Sequence, residues 1–157
     1  WGFVAGIAYA NANLGTEVEV TDYIYQGTFT DLDAGKAIAA GMYDKGVDVV
    51  FAAAGGVGVG AINETKTRAE AGNGVFIVGV DVDQYGGFEV GRTILMDVNA
   101  NGVGLPGVNP NLSDATVKEV NEVAEMIKAR EIEVPNTKDG LISFLDEMNC
   151  DFGNLGY

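Results

Sequence analysis

The chain has 157 residues, 47% of them hydrophobic, with 23 acidic against 9 basic side chains and a formal net charge of −14. That apolar content builds a core and excludes a disordered chain, while so negative a surface repels phosphate backbones and anionic headgroups, which argues against nucleic-acid binding and a polybasic membrane patch. With no histidine and a single cysteine, Cys150, imidazole-based triads, His-ligated zinc, an internal disulfide and a Cys-cluster metal site are excluded.

In chain order, residues 2–7 (Gly-Phe-Val-Ala-Gly-Ile) read as a buried strand and 17–25 as a second, through Val18, Val20, Tyr23 and Ile24. A helix is predicted over 31–45, with Ala34, Ile38, Gly41 and Met42 on one face and Lys45-Gly46 as its stop. Residues 47–52 form a third strand, nearly continuous in apolar side chains, as parallel strands covered on both faces are. A helix over 58–71 follows, ended by Gly72-Asn73-Gly74, then strands at 75–80 and 93–98. Ser113-Asp114 caps a helix to about 129, residues 131–135 read as a short edge strand stopped by proline, and Thr137 starts a last helix. No run is long and apolar enough for a transmembrane helix. The β-α-β-α-β order of the first half predicts an open, doubly wound parallel sheet of the α/β class.

Two joints conflict with that sheet. Only residues 8–16 separate the first two strands, and 81–92 separate the last two without a helical period. A parallel crossover needs a dozen or more residues and generally a helix. Either these pairs are antiparallel hairpins or segments are absent at both places.

Three stretches carry chemistry. Ala52-Ala53-Ala54-Gly55-Gly56-Val57-Gly58-Val59-Gly60-Ala61 runs from a strand into a helix. Its small residues admit a ligand to the backbone, and N–H groups at a helix start are donors. It contains G-x-G-x-x-A at Gly56, Gly58 and Ala61, followed about 20 residues on by Asp81, where a dinucleotide-binding fold places its ribose acid; a tight turn that needs glycine for packing alone is the structural alternative. Asp81, in Gly79-Val80-Asp81-Val82-Asp83-Gln84, stands beyond a strand's carboxyl end and can accept two hydroxyl protons from a vicinal diol. With Asp83 beside it and no nearby Lys or Arg, it favours a neutral polyol or nucleoside over a nucleotide; a solvated acidic loop is its alternative. Phe29, between Gly27 and the N-cap candidate Asp31, either presents its ring into a cleft or joins a satellite core.

Taken together, these residues resemble one family. The stretches 27–31 (Gly-Thr-Phe-Thr-Asp), 34–36, 46–51, 53–56 and 79–84 occur in its order, as do Gly102-Val103-Gly104-Leu105, Asn109-Pro110-Asn111-Leu112 and 131–135. The chain resembles the basic membrane protein family, solute-binding lipoproteins of bacterial ABC importers typified by purine nucleoside receptors. The resemblance implies a type I periplasmic binding-protein fold, two doubly wound lobes closing on a nucleoside, of which residues 1–157 form one partial α/β unit, mainly the second lobe. The first lobe and two internal segments, one of them carrying a ribose-binding lysine, are then expected to be absent. It also implies that Phe29 stacks on the base, Gly55 and Gly56 allow close backbone approach, and Asp81 binds the ribose hydroxyls. Nothing catalytic, no cofactor and no metal are expected; the partners are a nucleoside and the transporter permease, with the protein held at the extracytoplasmic face of the cell membrane by an N-terminal lipid anchor outside this chain. The competing expectation is a Rossmann-type NAD-dependent oxidoreductase using Gly56, Gly58, Ala61 and Asp81.

Overall fold

The computed structural model describes residues 1–80, 93–95, 105, 108, 110–135 and 137–153. Along these residues run α1 (Gly2–Leu14), α2 (Leu32–Asp44), β1 (Val49–Phe51), α3 (Gly56–Glu70), β2 (Phe76–Gly79), β3 (Thr93–Leu95), α4 (Asp114–Lys128) and α5 (Lys138–Glu147). They divide into two compact units, residues 1–24 with 123–157, and residues 25–122.

In the unit of residues 25–122 the strands form one parallel sheet in the order β1-β2-β3. Val49, Val50 and Phe51 lie beside Phe76, Ile77 and Val78, and Ile77, Val78 and Gly79 beside Thr93, Ile94 and Leu95. The second joint is therefore no antiparallel hairpin. The mixed α/β class with a parallel sheet is as the chain order predicts. α2 starts where the Asp31 carboxylate accepts the Ala34 N–H at 2.9 Å, which satisfies one of the helix's orphan donors. α3 follows β1 and crosses to β2. The core is one cluster: Ala39 and Tyr43 of α2, Ala61 and Ile62 of α3, and Val50, Val75 and Ile77 from β1, β2 and its approach. The two helices meet backbone to backbone. A Cβ at Gly35 would fall on the carbonyl oxygen of Val57, and one at Gly60 on that of Leu32.

A polar knot ties the C-terminal halves of these helices to the sheet. The buried Tyr43 hydroxyl lies 2.6 Å from Thr65 Oγ1 and 3.0 Å from the Phe76 carbonyl oxygen. Arg68 reaches Glu64 and Asp44, each at 2.8 Å, and lies over the Tyr43 ring, 5.7 Å from its centroid. Burial pushes the Tyr43 hydroxyl above its ordinary pKa, a shift opposed by the Thr65 hydrogen bond and the Arg68 charge.

The other unit corrects three sequence expectations. Residues 2–7 are not a strand but the first half of α1, in which Val4, Ala5 and Ala8 are buried at helical spacing against Leu141 and Leu145 of α5. A short apolar run fits either element by itself; the alanines at 8, 10 and 12 extend it as a helix, and Gly15 closes it at φ +70. The first joint thus dissolves, since Ile7 and Ala8 are consecutive residues of one continuous helix. Residues 17–25 have no regular structure despite their alternation. The Asn11 side chain takes the ladder's place, donating to the Val18 carbonyl at 2.9 Å and accepting the Val18 N–H at 3.0 Å. Residues 131–135 likewise form no strand. The two C-terminal helices stand as predicted: Ser113 Oγ accepts the Thr116 N–H, and Thr137 Oγ1 accepts that of Gly140. The Cys150 thiol packs into the α1–α5 core and points at the Ala8 carbonyl oxygen, 3.7 Å away.

Candidate functional site

The candidate site lies where the turn before α2 meets the start of α3. Sequence builds the turn from its own side chains. Gln26 Oε1 accepts both the N–H and the hydroxyl proton of Thr28, at 2.9 and 3.0 Å, and Gly27 between them takes φ +88. On the far side Asp31 caps α2. Phe29 is held between these two anchors, and its carbonyl oxygen accepts the Gly56 N–H at 2.7 Å. The backbone of Phe29 is thereby fixed while its side chain remains 72% exposed. The satellite-core reading of Phe29 does not hold.

Gly55 and Gly56 make this meeting feasible. Gly55 sits at φ +55, ψ −126, a conformation that only glycine adopts without strain. A Cβ on it would come within 3.1 Å of the Phe29 carbonyl oxygen, and one on Gly56 within 3.0 Å of the same atom. The structure thus brings Phe29, Gly55 and Gly56 together, and the group that approaches both glycines closely is the backbone of Phe29. Leu32, half exposed, belongs to the same place, with its Cδ1 3.6 Å from where a Gly56 Cβ would be. Sequence reasoning missed Gln26 and Leu32; a Gln two residues before Thr, across a glycine, is the signal for the first.

The glycines of the G-x-G-x-x-A pattern have packing tasks. Gly56 gives its N–H to Phe29, and Val57 gives its own to the Ala54 carbonyl at 3.2 Å, so these two donors at the helix start are engaged within the protein. A Cβ on Gly58 would stand 2.9 Å from the Ala52 carbonyl oxygen, and Ala61 is buried in the core cluster. Asp81 lies outside the described residues. Among the described residues no three acidic or cysteine side chains come together as a metal site.

The chain has relatives. A family model described as Bmp, ABC transporter substrate-binding protein PnrA-like, matches residues 1–87. The chain belongs to the Bmp family. It is 31% identical to Basic membrane protein A1 of Borrelia garinii subsp. bavariensis over 177 residues, covering 94% of this chain and 50% of that protein. Basic membrane protein D of Borreliella burgdorferi is 44% identical over 84 residues, 54% of this chain and 22% of the relative. The CD4+ T-cell-stimulating antigen of Listeria monocytogenes is 40% identical over 86 residues, 54% of this chain and 23% of the relative. The chain spans about half the length of the relatives that it matches most fully. As a Bmp-family chain it carries the Phe29, Gly55 and Gly56 cluster inside the matched stretch, and Asp81 falls there as well.

Proposed function

We propose that this chain supplies one lobe of an extracytoplasmic solute-binding protein that captures a nucleoside, of the purine class, for an ABC importer and does not turn it over. The observation that carries this reading is the pinned backbone and open ring of Phe29. With its main chain anchored, the exposed aromatic face is available to stack on a base, and such stacking contributes about 1–3 kcal/mol per base in nucleic-acid binders. Gly55 and Gly56 serve that ring by admitting its backbone. Asp81 is proposed to accept the two ribose hydroxyls, a role suited to a carboxylate following a parallel strand.

The family supports the solute-binding role, the permease as partner and a periplasmic binding-protein-like fold; we propose that this fold is of type I, with two doubly wound lobes. We place the protein at the outer face of the cell membrane, held by a lipid anchor. No described helix is long and apolar enough to cross a membrane. The dinucleotide reading loses support, because the Gly56 and Val57 N–H groups that a pyrophosphate needs are spent on Phe29 and Ala54.

Calorimetric titration of the 157-residue chain with adenosine, inosine and NAD tests the proposal. Saturable heat with a nucleoside, lost in Phe29→Ala, is the expected result. Binding of NAD with no response to either nucleoside overturns it.

A further inference from the structure

We propose that Asn73 is a site of spontaneous modification, at which the Gly74 nitrogen closes on the neighbouring side-chain amide and turns it into an acid. The chain has two Asn-Gly pairs, 73–74 and 101–102. The first lies among the described residues, in the connection from α3 to β2. Glycine matters at the second position of the pair because the missing Cβ leaves its nitrogen unhindered and its main chain free to turn toward the side chain. The structure adds three conditions. Asn73 and Gly74 are both exposed and lie outside helix and strand. The peptide group that joins them makes no hydrogen bond among the described residues, so solvent base reaches the Gly74 N–H. A Cβ built on Gly74 would meet nothing within 4 Å, so no neighbour obstructs ring closure.

Solvent hydroxide takes the Gly74 amide proton, and the nitrogen attacks the carbonyl carbon of the Asn73 side chain. A C–N bond forms, a succinimide ring closes, and the side-chain nitrogen takes a proton from water and leaves as ammonia. Water then opens the ring at either carbonyl. The products are aspartate with the normal main-chain link and its isomer linked through the side chain. Overall one water is consumed, one ammonia is released, and nothing is oxidised or reduced. The residue that changes is the one that closes α3. The Asn73 N–H and its side-chain Nδ2 both donate to the Arg68 carbonyl oxygen, each at 3.0 Å. A carboxylate has no donor for that oxygen and sets a negative charge at the negative end of the helix dipole. The isomer also adds a methylene to the main chain just ahead of Phe76. That residue gives its N–H to the Asp48 carbonyl at 2.8 Å, and its own carbonyl accepts the Tyr43 hydroxyl at 3.0 Å. Modification therefore loosens the end of α3 and disturbs the entry to β2.

Incubation of the 157-residue chain at neutral and at mildly alkaline pH, followed by tryptic peptide mapping against an unincubated sample, tests this. Cleavage after Arg68 and Arg92 isolates residues 69–92, in which Asn73 is the single asparagine. This peptide should gain the mass difference between an amide and an acid, split into two chromatographic forms, and do so faster at the higher pH. Gly74→Ala, whose methyl group the structure accommodates, should slow the conversion roughly tenfold. Should that variant fail to fold, Asn73→Gln keeps an amide that must close a larger ring, and its peptide should stay unchanged. Asn73→Asp should unfold at a lower urea concentration than the unaltered chain; equal midpoints overturn the consequence drawn for α3. Residues 69–92 left unconverted, whether or not the peptide holding Asn101-Gly102 converts, overturn the inference. So does an equal rate in Gly74→Ala or Asn73→Gln, or a single aspartate form without its isomer, which marks direct hydrolysis.

Discussion

The Gly56 N–H donates to the Phe29 carbonyl oxygen over 2.7 Å, which locks the turn before α2 onto the first residue of α3. The bond fixes the main chain of Phe29 and leaves the ring out of the core. On the proposed reading, stability and recognition rest on different atoms of one residue, and substitutions can separate them.

Phe29→Ala should leave the unfolding midpoint nearly unchanged, within about 0.5 kcal/mol, because a side chain 72% exposed gives up little burial. Nucleoside affinity should fall by about 1–3 kcal/mol, and Phe29→Trp should keep most of it. Urea denaturation and calorimetry on the same samples check both halves. A large loss of stability with binding intact would mean that the ring acts in packing.

Gly55→Ala should act on the fold. It forces a Cβ onto a positive-φ residue and sets that atom 3.1 Å from the Phe29 carbonyl oxygen. We expect a loss of about 1–3 kcal/mol in urea unfolding, the usual cost of a non-glycine residue held in such a conformation. An unchanged midpoint would show that the turn yields to the new methyl group.

For Asp81→Ala we expect at least ~2 kcal/mol of lost nucleoside binding, from two charge-assisted acceptor bonds, with unfolding hardly altered. Titration with a nucleoside and with its 2′,3′-dideoxy analogue separates a diol contact from any other. If wild type and variant bind the nucleoside equally, Asp81 is not the ribose acceptor.

Tyr43 gives the fold an alkaline limit. Its hydroxyl pKa is raised by burial above the ordinary 10.0. The unfolded chain therefore loses this proton first as pH rises. The stabilising contribution is complete below pH 10 and declines as the pH climbs through the higher folded value. The urea midpoint should accordingly drop above pH 10 more steeply in wild type than in Tyr43→Phe. At pH 7 that variant should be about 1–2 kcal/mol less stable, since Thr65 and the Phe76 carbonyl lose a partner. Parallel alkaline slopes for the two proteins would refute the assignment.

The elements most legible in the sequence were those whose partners lie nearby along the chain. α2, α3 and the strands 49–51 and 76–79 bury one another, so their apolar spacing and glycine stops reported the fold directly. Residues 2–7 misled because six apolar residues suit strand and helix alike, and what decides is the contact of Val4, Ala5 and Ala8 with Leu141 and Leu145, more than 130 residues away along the chain. Residues 17–25 misled because alternation marks a strand only where a neighbour accepts its ladder, and Asn11 satisfies Val18 instead. At the site the residue types were readable and their meeting was not. No spacing rule announces that the close approach which Gly55 and Gly56 permit is filled by the main chain of Phe29.

The contact of Gly35 with Val57 and of Gly60 with Leu32 has an evolutionary consequence. Where two helices touch through their carbonyls, neither glycine can acquire a side chain without driving the pair apart. Ala39, Ile62 and Ile77 are similarly confined by the core around them. Mutational drift in this unit is thereby channelled away from the scaffold and toward the ring of Phe29, whose replacement costs the fold little. If Phe29 contacts the ligand as proposed, a lineage of such chains can change what it captures by trading one exposed aromatic for another while the glycines beneath stay as they are.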